Sequence, residues 1–184
     1  MQTLGLSDST LRSESRLKSL FWPSIQSAND VDYLGAQGYW VCAIVSVISL
    51  IASLITGHAM IGILVFLVFY LGGVGVRERS RYAAAAVLAL YSADMFITGP
   101  NVVRVLLAAL LLSNLRATWL AARWEPESQE AAMPPRFGDT WSERFVDQWP
   151  TWLWPRVRYV FYVLSAGLIA LDALGIAVFL RRRG

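Results

Sequence analysis

The sequence is poor in the residues that build reactive centres. Its 184 residues hold a single cysteine, Cys42, and a single histidine, His58. A lone cysteine closes no intramolecular disulfide, and one Cys with one His cannot assemble a zinc or iron–sulfur site within the chain. Haem ligation by two histidines of the chain is excluded for the same reason. Lys18 is the only lysine, so arginine supplies nearly all of the 16 basic residues, set against 13 acidic ones for a net charge of +3. No nucleophile elbow, Ser/Lys pair or Asp/His partner set accompanies the serines. Gly72-Gly73-Val74-Gly75 lies inside an apolar run with no Lys-Ser or Lys-Thr after it, so it is not a phosphate loop. Neither a cofactor nor a catalytic activity is expected. The positive charge is not gathered into a basic stripe apart from the apolar segments, which argues against nucleic acid as a partner.

What the chain does have is apolar sequence in long runs. Hydrophobic residues make up 56% of it and its mean hydropathy is +0.48, above the roughly 45–50% apolar content of a soluble domain. The expected fold is all-α: a transmembrane helical bundle of four core spans plus a fifth, carboxy-terminal span. Residues 1–19 read as a polar, Ser-rich tail. They lack an early apolar stretch, so no cleavable leader is expected and the first span would serve as the targeting signal.

Residues 20–124 read as a four-span membrane domain. It is preceded by a half-polar helix over Ser24–Gly38 that suits the bilayer surface, with Trp22 in the headgroup layer. The spans are expected at Tyr39–Thr56, Ala59–Val76, Tyr82–Thr98 and Val102–Leu120, with Trp40 as an interfacial anchor of the first. Gly57-His58 and Gly99-Pro100-Asn101 are tight turns, because proline cannot continue a helical ladder and glycine can cap one. Residues 125–157 read as a polar connector. Within it Thr140 and Glu143 fit a capping box, and Trp141, Phe145 and Trp149 recur every four residues, as in a short interfacial aromatic helix. Residues 158–184 read as the fifth span with an Arg-rich end.

Charge gives an orientation. The amino-terminal tail, the Arg77–Arg81 link and the Arg123 end of the fourth span belong inside, and the two turns without Lys or Arg belong outside. Five crossings then put Arg181–Arg183 outside, against the rule. The competing topology needs one of the first four spans not to cross. Five crossings is the preferred reading.

Short signatures along residues 20–118 support the four-span domain: Phe21-Trp22-Pro23-Ser24, Gln37-Gly38-Tyr39-Trp40, Ser80-Arg81-Tyr82-Ala83-Ala84 and Asn114-Leu115-Arg116-Ala117-Thr118. In order and spacing they resemble an uncharacterised group of small bacterial four-span membrane proteins. The resemblance implies a compact inner-membrane helical domain without an assigned activity, and it does not extend to the connector or the fifth span.

Several polar residues fall within the apolar runs. Asp94 and Arg104 flank the Gly99–Asn101 turn at matching depth and with opposite sign. They read as a structural ion pair, or alternatively as the lining of a polar cavity. Asp172 lies near the middle of the fifth span, where an ionised carboxylate costs about 2.5–3.5 kcal/mol on insertion scales. It should face protein, through a hydrogen bond or in an ion-handling role. Cys42, Ser46, Ser49, Ser53 and Thr56 share one helical face of small residues, suited to close helix packing or to a polar conduit. Asn114 and Arg116 sit near the inner end of the fourth span, where Arg116 can snorkel to lipid phosphates.

Two functions are consistent with this pattern. One is a non-enzymatic accessory or interaction protein of a membrane complex, its partners being the bilayer, other membrane proteins or a second copy. The other is a small transporter or channel-like protein using Asp172, Asp94 and Arg104. A water-filled cavity touching Asp172 would favour the second.

Overall fold

The computed structural model describes residues 21–23, 25, 28–123 and 141–181. The polar tail, most of the connector with its Thr140 cap, the Arg182–Gly184 end and the side chains of residues 141–145, Trp141 included, lie outside them. The described residues form five helices: α1 Ala28–Ile55, α2 Ala59–Arg77, α3 Arg81–Thr98, α4 Val102–Ala121 and α5 Trp141–Arg181. No strand occurs among them. Four of the five (α1, α2, α4 and α5) are long and apolar enough to cross a membrane. The chain is therefore a multi-pass membrane protein with a helical-bundle fold.

Local chemistry sets the turns. α1 ends in a Schellman arrangement, with His58 N donating to Ser53 O at 2.8 Å and Gly57 N to Leu54 O at 3.2 Å. Gly57 takes the left-handed conformation that this ending requires (φ 77°), which glycine adopts without steric cost. α2 ends the same way, Ser80 N donating to Gly75 O and Arg79 N to Val76 O. There the left-handed residue is Arg79 (φ 56°), so a non-glycine holds a conformation that costs roughly 1–2 kcal/mol. Ser80 then caps α3 through Ala83 N, and Asn101 caps α4 by accepting from Arg104 N at 2.9 Å.

Burial is concentrated at one end of the bundle. The core gathers Val31, Leu34, Tyr39 and Cys42 of α1, the Val68–Arg77 half of α2, Ala83–Tyr91 of α3, Leu111–Ala121 of α4, and Val146, Trp154, Phe161 and Ser165 of α5. The opposite halves leave Ile48, Ile55, Ile61, Ile97, Val102 and Leu174 exposed. Small residues explain the asymmetry, since they let helix axes approach. A Cβ added to Gly73 would lie 2.7 Å from Cys42 Cβ, and one added to Gly75 would lie 2.6 Å from Ala83 Cβ and against the Trp154 ring. On Gly72 it would run into Val87 and Phe161. Glycines on several faces of one end of α2 thus pull α1, α3 and α5 together there. We call this the closed end. The α1–α2 hairpin stays tight to its far end, where Gly62 abuts Ser53, so the divergence lies between this hairpin and the α3–α4 hairpin.

Three sequence expectations are corrected. The segment before Tyr39 is not a separate surface helix, because α1 runs unbroken from Ala28 to Ile55. Its acids are engaged within the bundle: Asp32 is bound by Arg77 and Arg79, and Asp30 is buried. The aromatic helix of the connector is not separate either. It forms the first turns of the 41-residue α5, which continues through Pro150 and Pro155 and past the expected 157/158 boundary. Each proline removes one ladder bond, but Val146, Pro150 and Trp154 are buried, and this packing holds the helix together. Third, α3 falls short of the apolarity of the other four spans. Its 18 residues carry Arg81 and Asp94 and rely on alanine over Ala83–Ala86.

α3 nonetheless runs the height of the bundle. Asn114 near the end of α4 packs beside Gly38 and Val76, so α4 finishes at the end where α2 finishes. The α3 that joins them must therefore travel from one end to the other. α5 follows α3 in direction: Trp154 meets Gly75 at the closed end, whereas Asp172 shares a cavity with Asp94 and Arg104 at the other. Arg181 consequently lies at the end opposite the start of α5.

Candidate functional site

Between the two hairpins, at the splayed end, is a cavity of about 940 Å³. All five helices line it: Ser49 and Ser53 from α1, Val65 and Phe69 from α2, Tyr91 and Asp94 from α3, Arg104 and Leu107 from α4, Leu168 and Asp172 from α5. The wall is predominantly apolar with a few polar groups, the usual make-up of a small-molecule site, and the volume is near the upper end of the roughly 300–1,000 Å³ such sites occupy.

The charged side chains within it differ in how they are held. Arg104 donates through Nη1 to Thr98 Oγ1 and to Gly99 O at 3.2 Å, and the same nitrogen lies 3.7 Å from Asp94 Oδ2. The guanidinium thus caps the carboxy-terminal end of α3, where a cation is favourably placed against the helix dipole, and pairs with Asp94 more loosely. Asp172 is directed to the cavity between exposed neighbours Leu171 and Ala173. It has no hydrogen-bond or ion-pair partner among the described residues. Two carboxylates and one guanidinium leave the cavity one negative charge in excess when all are ionised. Phe69 and Tyr91, which the sequence did not single out, meet edge to face with centroids 6.4 Å apart on the cavity wall.

The small-residue face of α1 is divided between two tasks. Cys42 and Ser46 are buried, Cys42 against Gly73, while Ser46 returns its hydroxyl to Ala43 O at 2.7 Å. Ser49 and Ser53 reach the cavity. Thr56 is exposed and bonds Ala52 O at 3.0 Å.

The closed end is fastened by polar contacts between residues far apart in sequence. The Arg77 guanidinium, 3% exposed, forks onto the Asp32 carboxylate at 2.7 and 2.9 Å and also reaches Asp32 O at 3.0 Å. Arg79 approaches the same carboxylate at 3.4 Å. Asn114 donates to Leu34 O at 2.8 Å, while its Oδ1 is buried without a partner among the described residues. Arg116 does not reach outward to lipid. It donates to Pro23 O at 3.0 Å and lies 4.7 Å from the Trp22 ring centroid. Trp22 and Trp40 are both 44% exposed, and the Trp149 and Trp152 rings lie tilted against each other, centroids 5.4 Å apart. Among the described residues no three His, Cys, Asp or Glu gather in a way that could hold a metal ion.

Comparison with protein-family models, curated proteins and solved structures finds no match. The features of the molecule that bear on function are the cavity and the two unlike ends of the bundle.

Proposed function

We propose that this chain binds a small solute in the cavity between its hairpins and carries it across a bacterial inner membrane, without catalytic chemistry of its own. One observation carries the reading. The isolated polar residues of α1, α3, α4 and α5 (Ser49, Ser53, Asp94, Arg104 and Asp172) converge on one cavity at the splayed end, while the other end is sealed by packed glycines and the Asp32–Arg77 fork. Ionisable groups inside a membrane are expensive unless they face a partner or a water-filled space, and such groups mark solute and ion pathways. By the positive-inside rule the closed end, with Arg77, Arg79, Arg81 and Arg123, faces the cytoplasm, and the cavity opens outward. Assignment to a bacterial inner membrane draws on the signature resemblance as well.

Transport requires a second state in which the ends exchange roles. Spin labels on Ile55→Cys and Val102→Cys report the splayed end, and labels on Trp40→Cys and Ala122→Cys the closed end, each pair in a Cys42→Ser background in nanodiscs. Two distance populations at both ends are expected. A single narrow distribution at each would overturn transport.

A second reading, the accessory or interaction protein, is favoured by one observation. The outward half of α5 leaves Ala166, Gly167, Ala170 and Ala173 uncovered, a surface that another helix could approach closely. A stoichiometric membrane protein retained through mild-detergent purification, and lost on Ala170→Trp, is the result this reading requires.

A further inference from the structure

The chemistry of the cavity restricts what it can hold. Its apolar wall favours a ligand with a hydrophobic body. Of its three charged groups, Arg104 is committed to the end of α3 and to Asp94, which leaves Asp172 as the carboxylate without a partner among the described residues. An anion would meet two carboxylates and a guanidinium already engaged. A neutral ligand would leave Asp172 unpaired in a weakly polar space. A cation would satisfy Asp172 and bring the cavity to neutrality. The Phe69–Tyr91 edge-to-face pair adds aromatic surface on the same wall, and a cation lying over an aromatic face is attracted by its quadrupole. We infer that the cavity takes an apolar monocation, a hydrophobic amine or onium ion, with its charge at Asp172 and its body between the two hairpins. This rests on the reading of the cavity as a solute site.

Tetraphenylphosphonium and tetraphenylborate test it, being alike in shape and opposite in charge. Equilibrium dialysis against the full chain in nanodiscs, with empty nanodiscs subtracted, reads binding of each. The phosphonium should bind stoichiometrically and at least about tenfold more tightly than the borate, the factor expected of one partly desolvated charge pair. Asp172→Asn should abolish the preference, and Asp172→Glu should keep it, which separates loss of charge from loss of fold. Leu107→Trp, which sets an indole into the cavity wall, should weaken binding of the phosphonium.

Equal or tighter binding of the borate would overturn the charge inference while leaving the cavity a solute site. Preference for the phosphonium persisting in Asp172→Asn would overturn the role of Asp172. If neither ion binds the wild-type chain above the empty nanodisc, this inference fails together with the solute-site reading. Phosphonium affinity unchanged by Leu107→Trp would place the ion away from this wall of the cavity and overturn the inference as well.

Discussion

Replacing Asp32 by Asn should open the closed end. The carboxylate accepts both arms of the Arg77 fork at 2.7 and 2.9 Å, and Arg77 is 3% exposed. Removing one member of a buried pair costs about 3–5 kcal/mol, chiefly because the other charge stays buried without its counterpart. Asp32 itself retains 20% exposure, and Arg77 keeps its bond to the Asp32 carbonyl, so the lower figure, about 3 kcal/mol, applies. Arg79→Gln should cost less than about 1 kcal/mol, since its contact is longer, at 3.4 Å, and both partners are partly exposed. In Asp32→Leu/Arg77→Met the loss should fall short of the sum of the single losses by about 2 kcal/mol, as expected when one buried pair is removed whole. Reversible unfolding in mixed micelles, followed by tryptophan fluorescence, measures these differences. Equal costs for Arg77→Gln and Arg79→Gln, or strict additivity in the double variant, would refute the fork as the element that fastens this end.

Two further outcomes follow from packing and capping. Gly75→Ala should destabilise strongly, because the added methyl meets Ala83 and the Trp154 ring, whereas Gly167→Ala and Gly175→Ala, with nothing within 4 Å of the new Cβ, should be neutral or gain up to about 1 kcal/mol in helix propensity; thermal melts in one detergent compare them directly. Arg104→Gln should lower stability more than Asp94→Asn, because Arg104 also bonds Thr98 and Gly99 at the end of α3 while the ion pair is long, at 3.7 Å; equal losses in the same melts would return the ion pair to first place.

The features legible in the sequence are local ones. Gly57 and Gly99-Pro100-Asn101 mark helix ends by the conformations they take or forbid, and Asp94 and Arg104 come together because only a short turn separates their helices. Features that depend on distant partners were hidden. Residues 28–38 look like a surface helix because Asp30, Asp32 and Gln37 are polar, yet the partners of Asp32 stand 45 and 47 positions away. Arg77 and Arg79 read simply as the stop after the second span. Pro150 and Pro155 are strong local breakers, and α5 stays continuous through them with Val146, Pro150 and Trp154 buried against the bundle. Asp172 could be flagged as an anomaly, but nothing in its spacing showed that Tyr91, Phe69 and Arg104 line the same space. That space follows from the uneven placement of small residues, with Gly72, Gly73, Gly75 and Ala83–Ala86 at one end of their helices and bulky Ile, Leu and Val at the other. Gly72–Gly75 thus has a packing role, one that the exclusion of a phosphate loop left unassigned.

The cavity is open at the Gly57 and Gly99 end and sealed at the Arg77 end. A membrane-impermeant thiol reagent, applied from each face of oriented vesicles to single cysteines in a Cys42→Ser background, decides this. Ser49→Cys, which lines the cavity, should react from the face that labels His58→Cys. Ser46→Cys, buried one turn deeper at 0% exposure, should react from neither. Labelling of Ser49→Cys from the opposite face alone, or labelling of both positions from the Arg77 side, would contradict the account.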